Sequence, residues 1–360
     1  MAETVFILGA GASSEAGAPL MVDFLDEAQR LSKSGGIPLG DVQLVLEARN
    51  HLRAAHSNTA IDFRNLESLF AAFEMASLLG RLGTMNVEVV KQLPSAMERL
   101  IAQTLGASIA LTLGPEGEGL EPPAAFKAFA ELVGLIRRKE PQGVVPVSVL
   151  TFNYDTCLDH ALYQAGLNPN YCLDEGPDDG VSLLKLHGSL NWVYCDQCQK
   201  VTWWSIGKHL ATRRFHRDEI EDLGSKGIPL SKFLGAHYEY VCKHSRPCKP
   251  LIVPPTYNKG HRYTDIAHVW RTAAAELSQA ENIYVMGFSL PETDQFFRYF
   301  CAVGMLGDAY LRRFWVFDPD REGVVEARFR DWLGQETKQV FQKHDATFSK
   351  AVEMLCGELR

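Results

Sequence analysis

The chain has 360 residues, 46% of them hydrophobic, which is enough for a full core and a main domain with one or two insertions. No apolar run approaches the roughly 18 residues that a membrane helix needs, and the first residues lack the pattern of a signal peptide. The net charge of -8 argues against a broad nucleic-acid surface. We therefore expect a soluble, cytoplasmic protein with no membrane association and no direct nucleic-acid binding.

The first predicted element is a short apolar strand, Val5 to Leu8, that ends in a glycine turn. Gly9 and Gly11 would let the backbone come close to a pyrophosphate, whose charge would lie against the amides of a helix starting near Ser13. Ser14 replaces the third glycine of the dinucleotide fingerprint. The usual dinucleotide-binding fold continues into a second strand, but no strand-like run follows here until Val144, so the chain is not an ordinary dehydrogenase. Many buried strands also end in a glycine turn without binding a nucleotide, and this is the alternative interpretation of the turn on its own.

Residues 35–140 are predicted to form a helical module inserted after the first strand and helix. Apolar residues at i, i+3, i+4 and i+7 predict two amphipathic helices, one with Leu66, Leu69, Phe70 and Phe73, the other with Phe126, Phe129, Ala130 and Val133. A glycine-rich loop separates the two helices. We expect this module to be a scaffold or a lid.

Short apolar runs then alternate with helical sequence, which predicts a parallel sheet. The runs are Val144 to Phe152, Ser182 to Leu186, Leu251 to Val253, Ile283 to Met286 and Phe314 to Phe317. The predicted fold class is therefore α/β, a Rossmann-like parallel sheet with helices on both faces, a helical insertion module and a small zinc-ribbon-like insertion.

Four of the eight cysteines fall in one interval, as Cys195-x-x-Cys198 and Cys242-x5-Cys248. In a reducing compartment, two such pairs favour a tetrahedral thiolate zinc site over disulfides. The second pair is wider than usual, so His244 is an alternative ligand, and surface thiols without a metal are the alternative interpretation. Four other cysteines lack ligand spacing and are expected to be core or near-surface thiols, namely Cys157, Cys172, Cys301 and Cys356.

Ligands of a parallel sheet gather beyond the carboxyl ends of its strands. Polar or glycine residues follow each strand-like run at that end: Gly9 to Ser14, Thr151 to Asp155, Lys185 to Ser189, Pro254 to Thr256, Gly287 to Leu290 and Asp318 to Asp320. We expect these segments to converge on one cleft.

These segments resemble the sirtuin family, and more closely its bacterial branch of NAD-hydrolysing, sirtuin-like defence effectors. The resemblance rests on the Gly9 to Ser13 turn, on Thr151-Phe152-Asn153-Tyr154-Asp155 in place of Thr-Gln-Asn-x-Asp, on His187-Gly188, on the cysteine insertion, on Gly287-Phe288-Ser289-Leu290 in place of Gly-Thr-Ser-Leu, and on Asp318-Pro319-Asp320. It covers nearly the whole chain outside the helical insertion.

The resemblance implies NAD as the substrate and zinc at the cysteines. It implies that Gly9, Ala10, Gly11, Ala12 and Ser13 hold the pyrophosphate, that Asn153 and Asp155 lie by the nicotinamide ribose, that His187 is the general base with Gly188 beside the cofactor, that Gly287 and Ser289 contact phosphate or ribose, and that Asp318 lies near the adenosine. An Asn can orient water and a ribose hydroxyl without adding charge, and a His can take a proton near neutral pH.

Two departures from the deacylating sirtuins favour hydrolysis. Their Gly-Ile-Pro-Asp-Phe-Arg segment is replaced by Gly17 to Phe24, without the Arg, and Val253 to Tyr257 replaces their Phe-Gly-Glu after the zinc module. We therefore expect cleavage of NAD to nicotinamide and ADP-ribose. A protein deacylase or ADP-ribosyltransferase, and a non-catalytic NAD or ADP-ribose sensor, are the alternatives.

The segment after Asp320 is expected to be only a helical tail, too short for a sensor domain. By the resemblance, control would come from homo-oligomerisation or from a separate partner, such as a ring-forming ATPase or a nucleic-acid-sensing protein. The predicted organisation is an NAD-binding domain at 1–34, 141–194 and 249–330, the helical insertion at 35–140, the cysteine module at 195–248 and the helical tail at 331–360.

Overall fold

The computed structural model has a parallel β-sheet at its centre with helices packed on it. It describes residues 3–54, 61–114, 119–137, 146–174, 180–212, 227–231, 242, 248–253, 266–291, 295–307 and 309–358. The strands in these residues are β1 (Thr4–Leu8), β2 (Ala110–Leu113), β3 (Leu120–Glu121), β4 (Val147–Thr151), β5 (Pro169–Asn170), β6 (Val181–Lys185), β7 (Gly188–Cys195), β8 (Lys200–Trp203), β9 (Ile228–Pro229), β10 (Lys249–Ile252), β11 (Asn282–Met286), β12 (Arg313–Phe317) and β13 (Phe341–His344).

The helices divide between the long stretch before β4 and the crossovers that follow it. They are α1 (Ala10–Ser14), α2 (Phe24–Lys33), α3 (Leu39–Ala54), α4 (Leu66–Leu79), α5 (Val87–Val90), α6 (Leu93–Ser108), α7 (Ala124–Arg137), α8 (Cys157–Gln164), α9 (Ile206–Thr212), α10 (Ala267–Ser278), α11 (Gln295–Gly304), α12 (Val324–Trp332), α13 (Gln335–Val340) and α14 (Phe348–Glu358). Among the described residues, no helix is both long and apolar enough to cross a lipid bilayer.

The chain adds strands to the central sheet first on one side of β1 and later on the other side. Its strand order over the described residues is β13-β12-β11-β1-β4-β6-β5, and each neighbouring pair is parallel. The chain starts at β1, adds strands on one side through β4, and later returns to the other side of β1 through β11. In open α/β sheets such a reversal opens a crevice at the carboxyl ends of the strands, and ligands bind there. The topology therefore places a cleft where β1, β4 and β11 end.

Both faces of the central strands are covered. Each of the strands β1, β4 and β11 has five residues, and all of them are buried. Successive side chains of a strand point to opposite faces of the sheet. On one face, the Phe129 ring of α7 packs edge-on against Phe6 of β1 at 5.0 Å, and Phe348 of α14 packs against Phe129 at 5.5 Å. The predicted α/β class, with helices on both faces of a parallel sheet, is confirmed.

Helices dominate the segment between β1 and β4, and local sequence sets their ends. The Asn65 side chain accepts hydrogen bonds from the amides of Glu67 and Ser68 at the start of α4, and Gly80 ends that helix with a left-handed φ of 65°. The segment is not purely helical, because β2 pairs with β3 and also with β9 from the cysteine-rich interval. The helical insertion and the cysteine insertion therefore share a small antiparallel sheet.

Three features differ from the sequence-based expectations. The segment Leu251 to Val253 was expected in the parallel sheet, but β10 pairs antiparallel with β7 in a separate sheet of order β10-β7-β8. The tail was expected to be only helical, but β13 forms the seventh parallel strand of the central sheet. The first helix begins at Ala10 rather than near Ser13.

Candidate functional site

The glycine turn after β1 packs directly against the turn after β11. The Gly9 amide donates to Met286 O at 3.1 Å, and the Gly11 amide donates to Gly287 O at 2.8 Å. A Cβ on Gly9 would stand 2.6 Å from Gly287 O, and a Cβ on Gly11 would stand 2.8 Å from Gly287 Cα. Gly287 itself has a φ of +62°, a conformation that favours glycine. The two turns are therefore interlocked, and side chains at these three positions would separate them.

Contacts within the protein already occupy part of the turn. The amide of Gly11 is bonded to Gly287 O, and the amide of Ala12 donates to Gly9 O at 2.9 Å. Packing between the two turns therefore accounts for the glycines in the structure. Pyrophosphate binding by Gly9, Ala10, Gly11, Ala12 and Ser13 stays a prediction.

The side chain of Asn153 bonds directly to the glycine turn. Its Nδ2 donates to Gly9 O at 2.8 Å and to Ser13 Oγ at 2.8 Å. Because the carbonyl of Gly9 can only accept a hydrogen bond, the nitrogen of the amide must point toward it. No described residue donates to Asn153 Oδ1, so the atom left for a water or a ribose hydroxyl is a carbonyl oxygen.

Asp155 supports this arrangement from a buried position. Its Oδ2 accepts a 2.6 Å hydrogen bond from Ser13 Oγ, and its Oδ1 accepts one from the amide of Cys157 at 3.0 Å. The side chain of Ser13 therefore links Asn153 to Asp155, as acceptor from the amide and donor to the carboxylate. Both oxygens of Asp155 are engaged inside the protein, which makes Asp155 a group that holds the turn. Its predicted position beside the ribose stays untested.

His187 follows β6, the neighbour of β4, and lies against the segment that carries Asn153. Its ring stands 5.1 Å from the Phe152 ring and 6.1 Å from the Tyr154 ring, measured between centroids. The carbonyl of His187 accepts from the amide of Val253 at 2.8 Å, and Tyr154 donates its hydroxyl to Val253 O at 3.2 Å. The imidazole is therefore fixed next to both neighbours of Asn153.

Gly188 turns the chain from His187 into β7. Its φ is +83°, and a Cβ there would overlap Leu251 O of the paired strand β10. The glycine is required by this close strand approach, so its role in holding a cofactor stays a prediction.

An apolar aromatic cluster stands where the sirtuin pattern has polar residues. Phe152 stands where the Thr-Gln-Asn-x-Asp motif has Gln, and Phe288 stands where the Gly-Thr-Ser-Leu motif has Thr. Their rings stack with centroids 4.7 Å apart. Phe297 of α11 packs edge-on against both, at 5.0 and 4.8 Å. The cluster joins the ends of β4 and β11 and borders His187. It places buried apolar rings beside the imidazole.

Ser289 and Asp318 lie on the other side of β1. Arg328 of α12 donates to Ser289 O at 3.4 Å, which ties the turn after β11 to that helix. Asp318 follows β12, its amide donates to His344 O at 3.1 Å, and its Oδ1 accepts from the amide of Asp320 at 3.0 Å. Burial raises the pKa of Asp318 above its ordinary value, and the hydrogen bond from the Asp320 amide opposes part of this shift. Asp318 does not contact the Asn153 cluster; it stands two strands from β1, about 10 Å along the sheet.

A second polar network, which the sequence analysis did not identify, lies behind the Asn153 segment. Lys185 Nζ donates to Asp155 O at 2.5 Å and pairs with Asp159 Oδ2 at 3.0 Å, and both side chains are at most 2% exposed. Tyr171 donates its hydroxyl to Asp159 Oδ1 at 2.5 Å. Burial and the neighbouring Asp159 raise the pKa of Tyr171 well above its ordinary value, so the hydroxyl keeps its proton. The only sequence signal is a lysine ending an otherwise apolar strand.

Three of the four predicted cysteine ligands come together at the far end of β7, and the fourth, Cys198, contacts one of them. The Sγ atoms of Cys195, Cys242 and Cys248 lie within 4.8 Å of one another, and Cys198 Sγ is 3.7 Å from Cys242 Sγ. The Cys198 amide donates to Cys195 Sγ at 3.4 Å. His244 lies outside the described residues.

The grouping of Cys195, Cys242 and Cys248, with Cys198 against Cys242, is compatible with a tetrahedral thiolate site. Zn–S bonds of about 2.3 Å would put the four sulfurs roughly 3.8 Å apart, close to the Cys198–Cys242 spacing. Burial, followed by the neighbouring thiol of Cys195, raises the pKa of Cys248 to about 12. A dication would supply the charge that such thiols need in order to ionise. Each of the four remaining cysteines is buried or half-buried, as expected.

No family model matches the sequence, and no curated protein matches it. Among solved structures, the chain is similar to a mutant of a Sir2 homologue in complex with ADP-ribose, with 14% identity, a TM-score of 0.43, and coverage of 99% of this chain and 91% of that chain. It is also similar to Sir2Tm bound to a propionylated peptide (14% identity, TM-score 0.38, 99% and 92% covered). A Sir2 complex with a peptide and NAD+ gives 15% identity and a TM-score of 0.38, with 99% and 92% covered. The functional proposal therefore rests on the motifs and on the geometry of this site.

Proposed function

We propose that the protein is an NAD glycohydrolase that cleaves NAD+ to nicotinamide and ADP-ribose. The observation that carries this proposal is the position of Asn153. Its side chain donates hydrogen bonds to the glycine turn after β1, and the His187 ring packs against Phe152 and Tyr154, the residues before and after Asn153. These groups meet at the strand ends where the sheet reverses, which is where open α/β folds bind nucleotides.

The residues suit the cleavage of a glycosidic bond to a pyridinium. As that bond breaks, the electron pair goes to nicotinamide and positive charge develops on the ribose. Asn153 Oδ1 can accept a hydrogen bond from a ribose hydroxyl or from the attacking water, because the amide nitrogen is held elsewhere. His187 can take the proton that the water loses as it adds to the ribose. The products are nicotinamide, ADP-ribose and one proton.

Water is favoured as the acceptor because the chain departs from the acyl-lysine pattern. The segment from Val253 to Tyr257 replaces the Phe-Gly-Glu of deacylating sirtuins, and Phe152 and Phe288 place a stacked apolar pair at two of their polar positions. Residues 254–257 lie outside the described residues, so this support comes from the sequence. A deacylase or ADP-ribosyltransferase remains the alternative, because either would use the same Asn153 and His187 with a peptide acceptor.

We also propose that Cys195, Cys198, Cys242 and Cys248 hold a structural zinc ion. Four protein sulfurs leave no open position for a substrate, so the ion would join β7 to the segments that carry Cys242 and Cys248 without entering the chemistry. By the resemblance to bacterial defence effectors, we further propose a role in anti-phage defence. Control would come from self-assembly or from a separate partner.

Nicotinamide release from NAD, with purified protein alone, tests the proposed activity. Release without any peptide supports hydrolysis, release only with an acylated peptide supports a deacylase, and tight ADP-ribose binding without release supports a sensor. Adding candidate partners or raising the protein concentration tests whether assembly controls the rate.

The substitution His187→Gln tests the site. Removing a general base lowers the rate by about 100- to 10,000-fold, so nicotinamide release should fall by that factor while the fold persists. His160→Gln is the matched control, because His160 is also buried but bonds to Leu120 O on the side of α8. Equal rates for the two variants would remove His187 from the mechanism.

A further inference from the structure

A continuous chain of buried polar side chains runs behind the Asn153 segment. Lys185 pairs with Asp159, Asp159 accepts from the Tyr171 hydroxyl, Asn191 Nδ2 donates to that hydroxyl at 2.9 Å, and Ser189 Oγ donates to Asn191 Oδ1 at 2.6 Å. All five residues are at most 3% exposed. We call these five residues the buried network. It connects β6, α8, the segment after β5, and β7.

The buried network touches the backbone that follows Asn153. Lys185 Nζ donates to the carbonyl of Asp155, and Ser189 Oγ, whose proton goes to Asn191 Oδ1, lies 3.4 Å from the carbonyl oxygen of Tyr154. Lys185 and Ser189 also flank His187 in sequence, two residues away on either side. One set of side chains therefore fixes the backbone after Asn153 and both ends of the segment that carries His187.

A buried ion pair is weak evidence of stabilisation, because desolvating two charges opposes their attraction. A pair of apolar side chains of similar volume would fill the same space. What apolar side chains cannot provide is a donor to the carbonyl of Asp155. Asp155 in turn accepts from Ser13, which accepts from Asn153, so the ammonium of Lys185 is joined to the Asn153 amide by this residue and the Ser13 hydroxyl.

We propose that Lys185 is a positioning residue, held by Asp159 and Tyr171, that sets the geometry of Asn153 against His187 without touching the substrate. The inference deepens the proposed function and rests on it for its kinetic consequence. Its structural consequence, the ordering of residues 153–157 by the Lys185 ammonium, is independent of the reaction.

The test uses the full chain with Lys185→Met/Asp159→Asn, which removes both buried charges and retains the acceptor for Tyr171. Tyr171→Phe is a milder second variant that keeps the ion pair, should the double variant fold poorly. Arg99→Met is the control, because it breaks an ion pair with Asp41 at 2.6 Å in the helical segment, away from the strand ends. Each protein is checked by thermal unfolding, and three quantities are measured: amide hydrogen exchange over residues 152–157, the kcat for nicotinamide release, and the Kd for ADP-ribose.

We expect the double variant to exchange amides of 152–157 at least about tenfold faster, while peptides from β1 and β11 are unchanged. Its kcat should fall at least about tenfold, with the Kd for ADP-ribose within about twofold of the wild-type value, because the loss affects orientation in the transition state. Tyr171→Phe should shift exchange and kcat in the same directions by about threefold or more, and Arg99→Met should shift neither.

Two results would overturn the positioning role. One is unchanged exchange over 152–157 in folded variants, and the other is faster exchange with a wild-type kcat. Failure of the proposed function has a different signature: wild-type protein then releases no nicotinamide, while the exchange measurement still decides whether Lys185 orders the Asn153 segment.

Discussion

Replacing Ser13 by Ala should destabilise the protein far more than the same change one residue later. Ser13 is buried, its hydroxyl donates to Asp155 Oδ2 at 2.6 Å, and it accepts from Asn153 Nδ2 at 2.8 Å. Ser14 is exposed, and its hydroxyl donates to Gly11 O at 2.8 Å. The pair of variants thus separates the loss of a hydroxyl in the site from the loss of a hydroxyl as such.

The expected loss of stability for Ser13→Ala follows from the two groups that lose the Ser13 hydroxyl as a hydrogen-bond partner. Asp155 Oδ2 would lose its donor while staying buried, and losing a hydrogen bond to a charged group costs about 1.5 to 3 kcal/mol. The Asn153 amide would keep its bond to Gly9 O, so its loss is partial. We expect a decrease in unfolding free energy of about 2 to 3 kcal/mol, roughly a 30- to 160-fold change in the unfolding equilibrium. Ser14→Ala should change it by less than about 0.5 kcal/mol.

Urea unfolding followed by tryptophan fluorescence measures both variants, with a common slope used to convert midpoints into free energies. The rate of nicotinamide release, measured in parallel, should fall for Ser13→Ala and stay near wild type for Ser14→Ala. If the two variants unfold at the same urea concentration, Ser13 does not connect Asn153 to Asp155, and the account of the site is wrong.

Three further predictions concern packing, metal and pH. Gly11→Ala should lower stability by about 1 to 3 kcal/mol, because its Cβ would stand 2.8 Å from the backbone of the opposing turn, whereas Gly357→Ala meets nothing within 4 Å in a helix and should be neutral or stabilising in the same urea assay. Purification without chelators should yield about one zinc per chain, and Cys198→Ser should lose the metal and lower the melting temperature; well-folded, metal-free wild-type protein would contradict this. Burial lowers the pKa of His344 below its ordinary value of 6.5, so the folded state binds fewer protons than the unfolded state and stability should fall as the pH decreases through 6.5. His344→Phe should weaken that pH dependence in urea unfolding curves; an unchanged slope would show that this ring does not contribute.

The central strands were predictable because burial on both faces leaves a continuous apolar run, as in β1, β4 and β11. The strand β13 was not predictable, because only its first residue is buried and the other residues of Phe341–His344 are polar. The run Leu251 to Val253, which overlaps the end of β10, was identified as a strand from the sequence. Its antiparallel direction depends on pairing with β7, which no local pattern encodes.

The site shows the same division between local and distant information. Spacing in the chain was enough to group the four cysteines, and strand ends were enough to group Asn153 with the glycine turn. The direction of the Asn153 amide depends on Gly9 O, and the engagement of Asp155 Oδ2 depends on Ser13; both partners are far away in sequence. Lys185 was grouped with the other strand ends, but its buried ion pair was not foreseen, because its partners come from separate segments and only their assembly makes a buried ammonium tolerable.

The interlocked glycine turns bear on when the protein becomes competent during its synthesis. β1 spans Thr4–Leu8 and its neighbour β11 lies at residues 282–286, so the turn carrying Gly287 is translated long after β1. Until then, a nascent chain lacks the surface against which Gly9 and Gly11 close. On the proposed function, the site that would cleave NAD is therefore incomplete until β11 has been translated.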